Sequence, residues 1–163
     1  METPEVNSLI PPDLIYFSGD WPKYEEELYR VFLDTLIKNT VLFQGLPVRL
    51  IRHPEYKNKH FAFWHLTSEG EKEGERTPDL RRCERLPWVS WVILNCDKTK
   101  EISYRENRRK SQRHIVIWYE TYSYVVVLAK RKNYFLLKTA YLATPHRAKI
   151  FRSEKSKFMK RKV

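Results

Sequence analysis

The stretch HIVIWYETYSYVVVLAKRKNYFLLKTAY, residues 114–141, decides the fold class. Three runs dense in β-branched and aromatic residues, His114–Glu120, Tyr124–Lys130 and Tyr134–Tyr141, are joined by short links, so the spacing predicts an antiparallel meander. Downstream, Thr144-Pro145 opens a helical pattern in which Ala148, Phe151 and Phe158 recur among mostly basic residues. Upstream, Asp20 as N-cap and Pro22 near the first helical position start another helix, with Leu28, Val31, Phe32, Thr35 and Leu36 on one side.

Between these landmarks, Pro47–Arg52 and His60–Leu66 alternate as strands do, Ser68–Glu75 reads as an acidic loop, and Asp97–Arg113 reads as a polar, basic loop. Thr77-Pro78-Asp79 reads as an N-cap, a proline in the first turn and an acidic start to a middle helix. Pro87 breaks that helix before the apolar segment Trp88–Leu94. The expected architecture is α+β: an N-terminal helix and a middle helix packed on an antiparallel sheet of about four to five strands, with a C-terminal helix. The chain length fits one domain. We divide it into a loose arm (1–20), the N-terminal helix (21–44), a core (45–152) and a basic tail (153–163).

Charge is regional. Residues 100–163 carry eighteen Lys or Arg against four Asp or Glu, while residues 1–99 carry thirteen against sixteen. A basic half interleaved with aromatic and β-branched residues points to a polyanion, with nucleic acid as the leading partner and a solvated basic face as the plain alternative. No apolar run approaches the roughly 18 residues that span a bilayer, so no membrane association is expected and the cytoplasm is the default location. Cys83 and Cys96 have no Cys-x-x-Cys partner or Cys/His cluster, which reads as two buried free thiols and no structural zinc. Gly-rich phosphate loops, Gly-x-Ser-x-Gly and His-Glu-x-x-His are absent from the sequence, and carboxylates are scarce in the basic half. Neither a metal nor another cofactor is expected.

Metal-free RNA cleavage needs a group to take the 2′-hydroxyl proton, cations or donors for the charged phosphorane, and an acid for the leaving oxygen. His65 is the candidate acid or base, against the alternative of a histidine that merely caps a strand. Arg81, Arg82 and Arg85 are neighbours at helical spacing and form either a phosphate clamp or a surface ion-pair network. Lys138 follows an apolar run on a strand, with Thr139 and Tyr141 on the opposite face. They read as transition-state and phosphate ligands, or as a lysine snorkelling at a sheet edge. His53, His60, His114 and His146 are weaker candidates. Arg105, Arg108, Arg109, Lys110 and Arg113, with Lys130, Arg131 and Lys132, suit phosphate contacts that position RNA. Trp118, Tyr119 and Tyr122 either stack on bases or pack the sheet.

The order Phe63-Trp64-His65-Leu66, Arg76-x-Pro78-Asp79, Arg82-Cys83-Glu84-Arg85-Leu86-Pro87-Trp88 and Tyr134-x-Leu136-Leu137-Lys138-Thr139-Ala140-Tyr141 resembles phage- and plasmid-associated nucleases. These belong to the group uniting barnase, EndoU, colicin D and RelE-like toxins, the BECR superfamily. The resemblance implies an N-terminal helical part before a four-stranded antiparallel sheet, and RNA cleavage without a metal through a 2′,3′-cyclic phosphate. It also implies a sheet-face cleft lined by His65, an arginine of the 81–85 cluster, Lys138 and Thr139. The N-terminal helix and the acidic 68–75 loop exceed a minimal RelE-like toxin. The expectation is a ribonuclease, a toxin or mobile-element effector held in check by an acidic antitoxin or inhibitor. A silent nucleic-acid-binding module or a protein-interaction domain on the same fold is the alternative. The sequence gives no oligomeric state.

Overall fold

The computed structural model describes residues 9–70 and 75–162. Helix α1 (Trp21–Phe32) begins at the expected cap: the Asp20 carboxylate accepts the Lys23 amide at 3.2 Å, and Pro22 sits in the first turn, where its missing N–H costs no bond. Tyr24, Leu28 and Phe32 form its buried stripe, which Leu36 continues after the pitch widens to a π-helix over Leu33–Ile37. The helix is shorter than the expected 21–44, because Leu42–Phe43 (β1) already pairs with Leu46–Arg49 (β2) across Gln44 and Gly45, both at positive φ. Residues 1–8 of the expected loose arm lie outside the described residues, but its later part is tied down. The Pro12 carbonyl accepts the Trp88 indole N–H at 2.8 Å, the Ile15 amide donates to Glu84, and the Tyr24 hydroxyl donates to Ile15.

The segment expected as a strand at 60–66 is instead helix α2 (Phe61–Thr67). Over seven residues, alternation and helical spacing both fit, and packing decides between them. Ala62 with Leu66, and Phe63 with Thr67, are buried at i, i+4, and Phe63 meets Tyr29 and Phe32 of α1 edge-to-face at 5.0 and 5.5 Å. Ser68–Glu69 (β3) then pairs with Thr77–Pro78 (β4); of the expected acidic loop, residues 71–74 lie outside the described residues. With Thr77 and Pro78 in β4, the cap of helix α3 (Leu80–Glu84) falls to Asp79, whose carboxylate accepts the Arg81 and Arg82 amides at 3.0 and 3.3 Å. Pro87 ends this piece as expected, and α4 (Trp88–Leu94) follows.

The largest departure is at 97–113. Ile102–Arg109 (β5) and Gln112–Tyr119 (β6) form an antiparallel hairpin whose two-residue turn, Lys110–Ser111, has both φ angles positive. That geometry is usually marked by Asn-Gly or Gly-Gly, and this turn contains neither. Tyr124–Lys130 (β7) has the expected bounds, and Phe135–Leu142 (β8) is shifted by one residue. The sheet has six strands in the order β1-β2-β8-β7-β6-β5, antiparallel except where β2 runs parallel to β8. The fold is α+β, with more strands than expected and one parallel pair.

Strand alternation gives the sheet two buried faces. Ile115, Ile117, Tyr119, Tyr124, Val126, Leu128, Phe135, Leu137 and Ala140 share the principal core with α1 to α4. Val116, Trp118 and Val125 face the other way and are covered by Ala148 and Phe151 of α5 (Pro145–Lys162). Thr144 caps α5, its Oγ1 accepting the Arg147 amide at 3.2 Å. The helix runs on to Lys162, so the expected tail from residue 153 is helical through that residue.

Candidate functional site

A register fault in β8 builds the site. β7 and β8 pair continuously from Lys130↔Phe135 to Leu128↔Leu137 and again from Val127↔Thr139 to Tyr124↔Leu142, leaving Lys138 as an extra residue. The bulge keeps Leu137 and Ala140 both in the core, 3% and 2% exposed, although three positions separate them. It also turns Lys138, Thr139 and Tyr141 into one cleft. The sequence reading had placed Lys138 opposite Thr139 and Tyr141; strict alternation fails because the bulge resets the strand's phase.

The cleft has a volume of about 380 Å³ and lies on the sheet face that α5 only partly covers. Val116, Val127 and Thr139 form its floor, Lys138 and Tyr141 the β8 side, Arg147, Phe151 and Glu154 the α5 wall, and His114 and Asn107 the far end. Arg82 enters from α3, its guanidinium 6.0 Å from the centre of the Tyr141 ring. Its Nη1 donates to the carbonyls of His65 and Ser68 at 3.2 and 3.3 Å, and its Nε lies 3.4 Å from the Asp79 carboxylate, which fixes its direction.

Three cations therefore line the cleft, Arg82, Lys138 and Arg147, against the single carboxylate of Glu154. That carboxylate is engaged by the Arg105 Nε at 2.5 Å and by the Asn107 amide at 3.5 Å. Arg105 is 3% exposed and lies 4.5 Å from the centre of the Phe151 ring. Burial pulls its guanidinium below the ordinary value, and Glu154 opposes that pull.

Other expected site residues lie elsewhere. His65 is on α2, its ring stacked on Phe61 at 4.1 Å; it does not line the cleft, and its backbone carbonyl receives Arg82. The helix replaced the strand that was to present its imidazole to the cleft. Arg81 is exposed on α3, while Arg85 lies over the Trp88 ring at 5.5 Å and donates to the Arg81 carbonyl; neither lines the cleft. Among the expected phosphate contacts, Arg105 is withdrawn, being buried and paired with Glu154. Arg113 is paired with Glu106, Lys130 and Arg131 are half-buried, and the Arg109 side chain lies outside the described part of the structure. Arg108, Lys110 and Lys132 are exposed around the two hairpin turns at one end of the sheet. Trp118 and Tyr119 are buried, so they pack the sheet, and exposed Tyr122 rests on Trp88 and Tyr119.

His114, a lesser candidate in the sequence, lines the cleft, as do Arg147 and Asn107, which the sequence reading had not singled out for the site. The signal for His114 was its phase: it shares the period-two face of Val116 and Trp118 on β6. His60 is far from this chemistry in character. It is buried against α1, its Nδ1 lies 2.8 Å from the Tyr29 hydroxyl, and burial, reinforced by Arg52, pulls it below the ordinary histidine value. Cys83 is buried and its thiol is pushed up to about 12 by desolvation, while Cys96 is half-buried; the two form no disulfide.

Among the described residues no three His, Cys, Asp or Glu side chains converge as metal ligands, and no described helix is long and apolar enough to cross a membrane. The chain matches no family model, no curated protein and no solved structure. Whatever is inferred about its activity rests on the residues and their arrangement.

Proposed function

We propose that the chain is a metal-independent endoribonuclease whose scissile phosphodiester lies in the cleft between β8 and α5. One observation carries the reading. Lys138, Thr139, Tyr141 and Arg82, each selected from the sequence for phosphoryl chemistry, meet in one cleft with an imidazole, that of His114.

In this reading His114 takes the proton from the ribose 2′-hydroxyl, and the 2′-oxygen bonds to phosphorus. As the bond to the 5′-oxygen breaks, that oxygen acquires a proton and a 2′,3′-cyclic phosphate is left. Lys138, Arg82 and Arg147 face the charge that grows on the equatorial oxygens, and Thr139 and Tyr141 supply hydroxyl donors. The nucleophile belongs to the substrate, so RNA is cut and DNA, which lacks it, is not.

The test is incubation with total RNA in excess EDTA, with the products analysed for cyclic phosphate ends. Wild type cleaves; Lys138→Ala and His114→Ala lose about 10²–10⁴-fold, the usual worth of a proton-transfer or charge-stabilising group. His65→Ala stays near wild type. Intact RNA that still binds at low salt would replace the nuclease with a silent RNA-binding module.

A further inference from the structure

Helix α5 carries far more charge than the cleft uses. Between Pro145 and Lys162 it has eight Lys or Arg and one acid, Glu154, which is turned inward to Arg105. Arg152 and Lys155 are met by Glu120, at 3.7 and 3.1 Å. Lys149, Lys157 and Lys160 remain exposed, and none has a carboxylate partner among the described residues. At about 100° per residue these three lysines fall within ~80° of one another, on the side of α5 away from Ala148 and Phe151, and Lys157 comes nearest the cleft side, ~80° round the helix from Arg147. From Arg147 to Lys160 the helix advances ~20 Å.

We propose that this lysine stripe on α5 is a second docking surface for RNA phosphates, gripping the substrate outside the cleft. The inference rests on the reading of the cleft as an RNA site, because the stripe would hold the part of the same strand that runs on from Arg147 past Lys157. Two other partners fit less well. A protein interface has an apolar centre and is depleted in lysine, whereas among the described residues of α5 Met159 is the only large apolar side chain exposed. A membrane-surface helix needs a free apolar face, and that of α5, Ala148 and Phe151, is buried against the sheet. A substrate that uses the stripe must extend beyond the cleft, so long RNAs bind better than fragments that only fill it.

The experiment compares the wild-type chain with a Lys149→Ala/Lys157→Ala/Lys160→Ala variant, alanine being the strongest helix former. The probes are fluorescent 2′-O-methyl oligonucleotides of about four and about twenty nucleotides, which cannot be cleaved through the blocked hydroxyl. For the long probe, removing three phosphate contacts lowers the salt slope, d log K/d log[salt], by ~2. Raising salt from ~50 to ~200 mM then costs wild type about 20-fold more affinity than the variant. The short probe shows no such difference, whereas Lys138→Ala weakens both. Equal salt slopes for wild type and variant on the long probe overturn the proposal, as does an equal loss on both probes. Polyglutamate that binds as tightly as the long probe, and is as sensitive to the three alanines, overturns it in favour of an acidic protein. Circular dichroism showing an unchanged helix content excludes unfolding as the cause. Because these probes are not cleaved, failure of the nuclease reading shows separately, as intact total RNA.

Discussion

Glu154→Gln isolates one interaction, since it keeps the side chain's shape and helix propensity and removes only the charge. The Arg105 guanidinium is then left 3% exposed with no anion beside it, and its Nη2 already has no acceptor. Stripping one partner from a fully buried ion pair costs about 3–5 kcal/mol. The Glu154 side chain is 36% exposed, so water offsets part of this and the loss falls to about 2–3 kcal/mol. For a chain of this size that lowers Tm by about 4–12 °C. Arg105→Met is the informative contrast. It leaves a carboxylate that can turn to water and puts an apolar side chain against Phe151, so its loss stays near ~1 kcal/mol. The Arg105→Met/Glu154→Leu double variant recovers to within ~1 kcal/mol of wild type. The assay is reversible thermal unfolding of the four proteins at one pH. If Arg105→Met is as damaging as Glu154→Gln, or if both are silent, the pair does not hold α5 to the sheet as described.

Deleting Lys138 removes the bulge and restores strict alternation from Phe135 to Leu142, so the variant folds with Tm within a few degrees of wild type. It loses RNA cleavage, and a chain that fails to fold would show that the bulge is needed for packing. Thiol titration of the native protein at pH 8 detects Cys96 and not Cys83, whose thiol burial holds well above that pH; in denaturant both react, and rapid labelling of both in the native chain would contradict the burial of Cys83. His60 is held below its ordinary value by burial, so above about 6.5 it is neutral both folded and unfolded. As pH falls through that value the unfolded chain takes up a proton that the folded chain resists, and stability declines. Melting temperature therefore drops between about pH 7 and pH 5, and His60→Gln flattens the drop; an equal slope in the variant would mean other groups cause it.

The elements legible in the sequence were those whose ends are written in local chemistry. Asp20-Trp21-Pro22 and Thr144-Pro145 mark helix starts by their own hydrogen-bonding geometry, and the apolar density of β7 leaves little choice but a buried strand. Helix α2 was not legible, because Phe61–Thr67 satisfies both periods and only its contact with Tyr29 and Phe32 chooses between them. The cleft was half legible. Residue types picked out Lys138, Thr139, Tyr141 and Arg82, but their relation depends on a bulge, and a bulge is a property of the pairing between two strands. His65 was preferred for the loop expected beside it, whereas the strand phase shared by His114, Val116 and Trp118 is what places His114 on the cleft face.

Strand β5 forms one outer edge of the six-stranded sheet, while the opposite edge, β1, is only two residues long. An eight-residue edge with unpaired backbone groups is a template on which another chain can add a strand. Here the sequence from Arg105 to Arg109 is four-fifths charged, and Glu106 is already engaged by Arg113 of the neighbouring strand. Two such edges brought together would set arginines against arginines and strip water from them. The polarity that makes β5 look like a loop thus guards the edge against edge-to-edge aggregation, and neutralising the exposed Arg108 would weaken that protection.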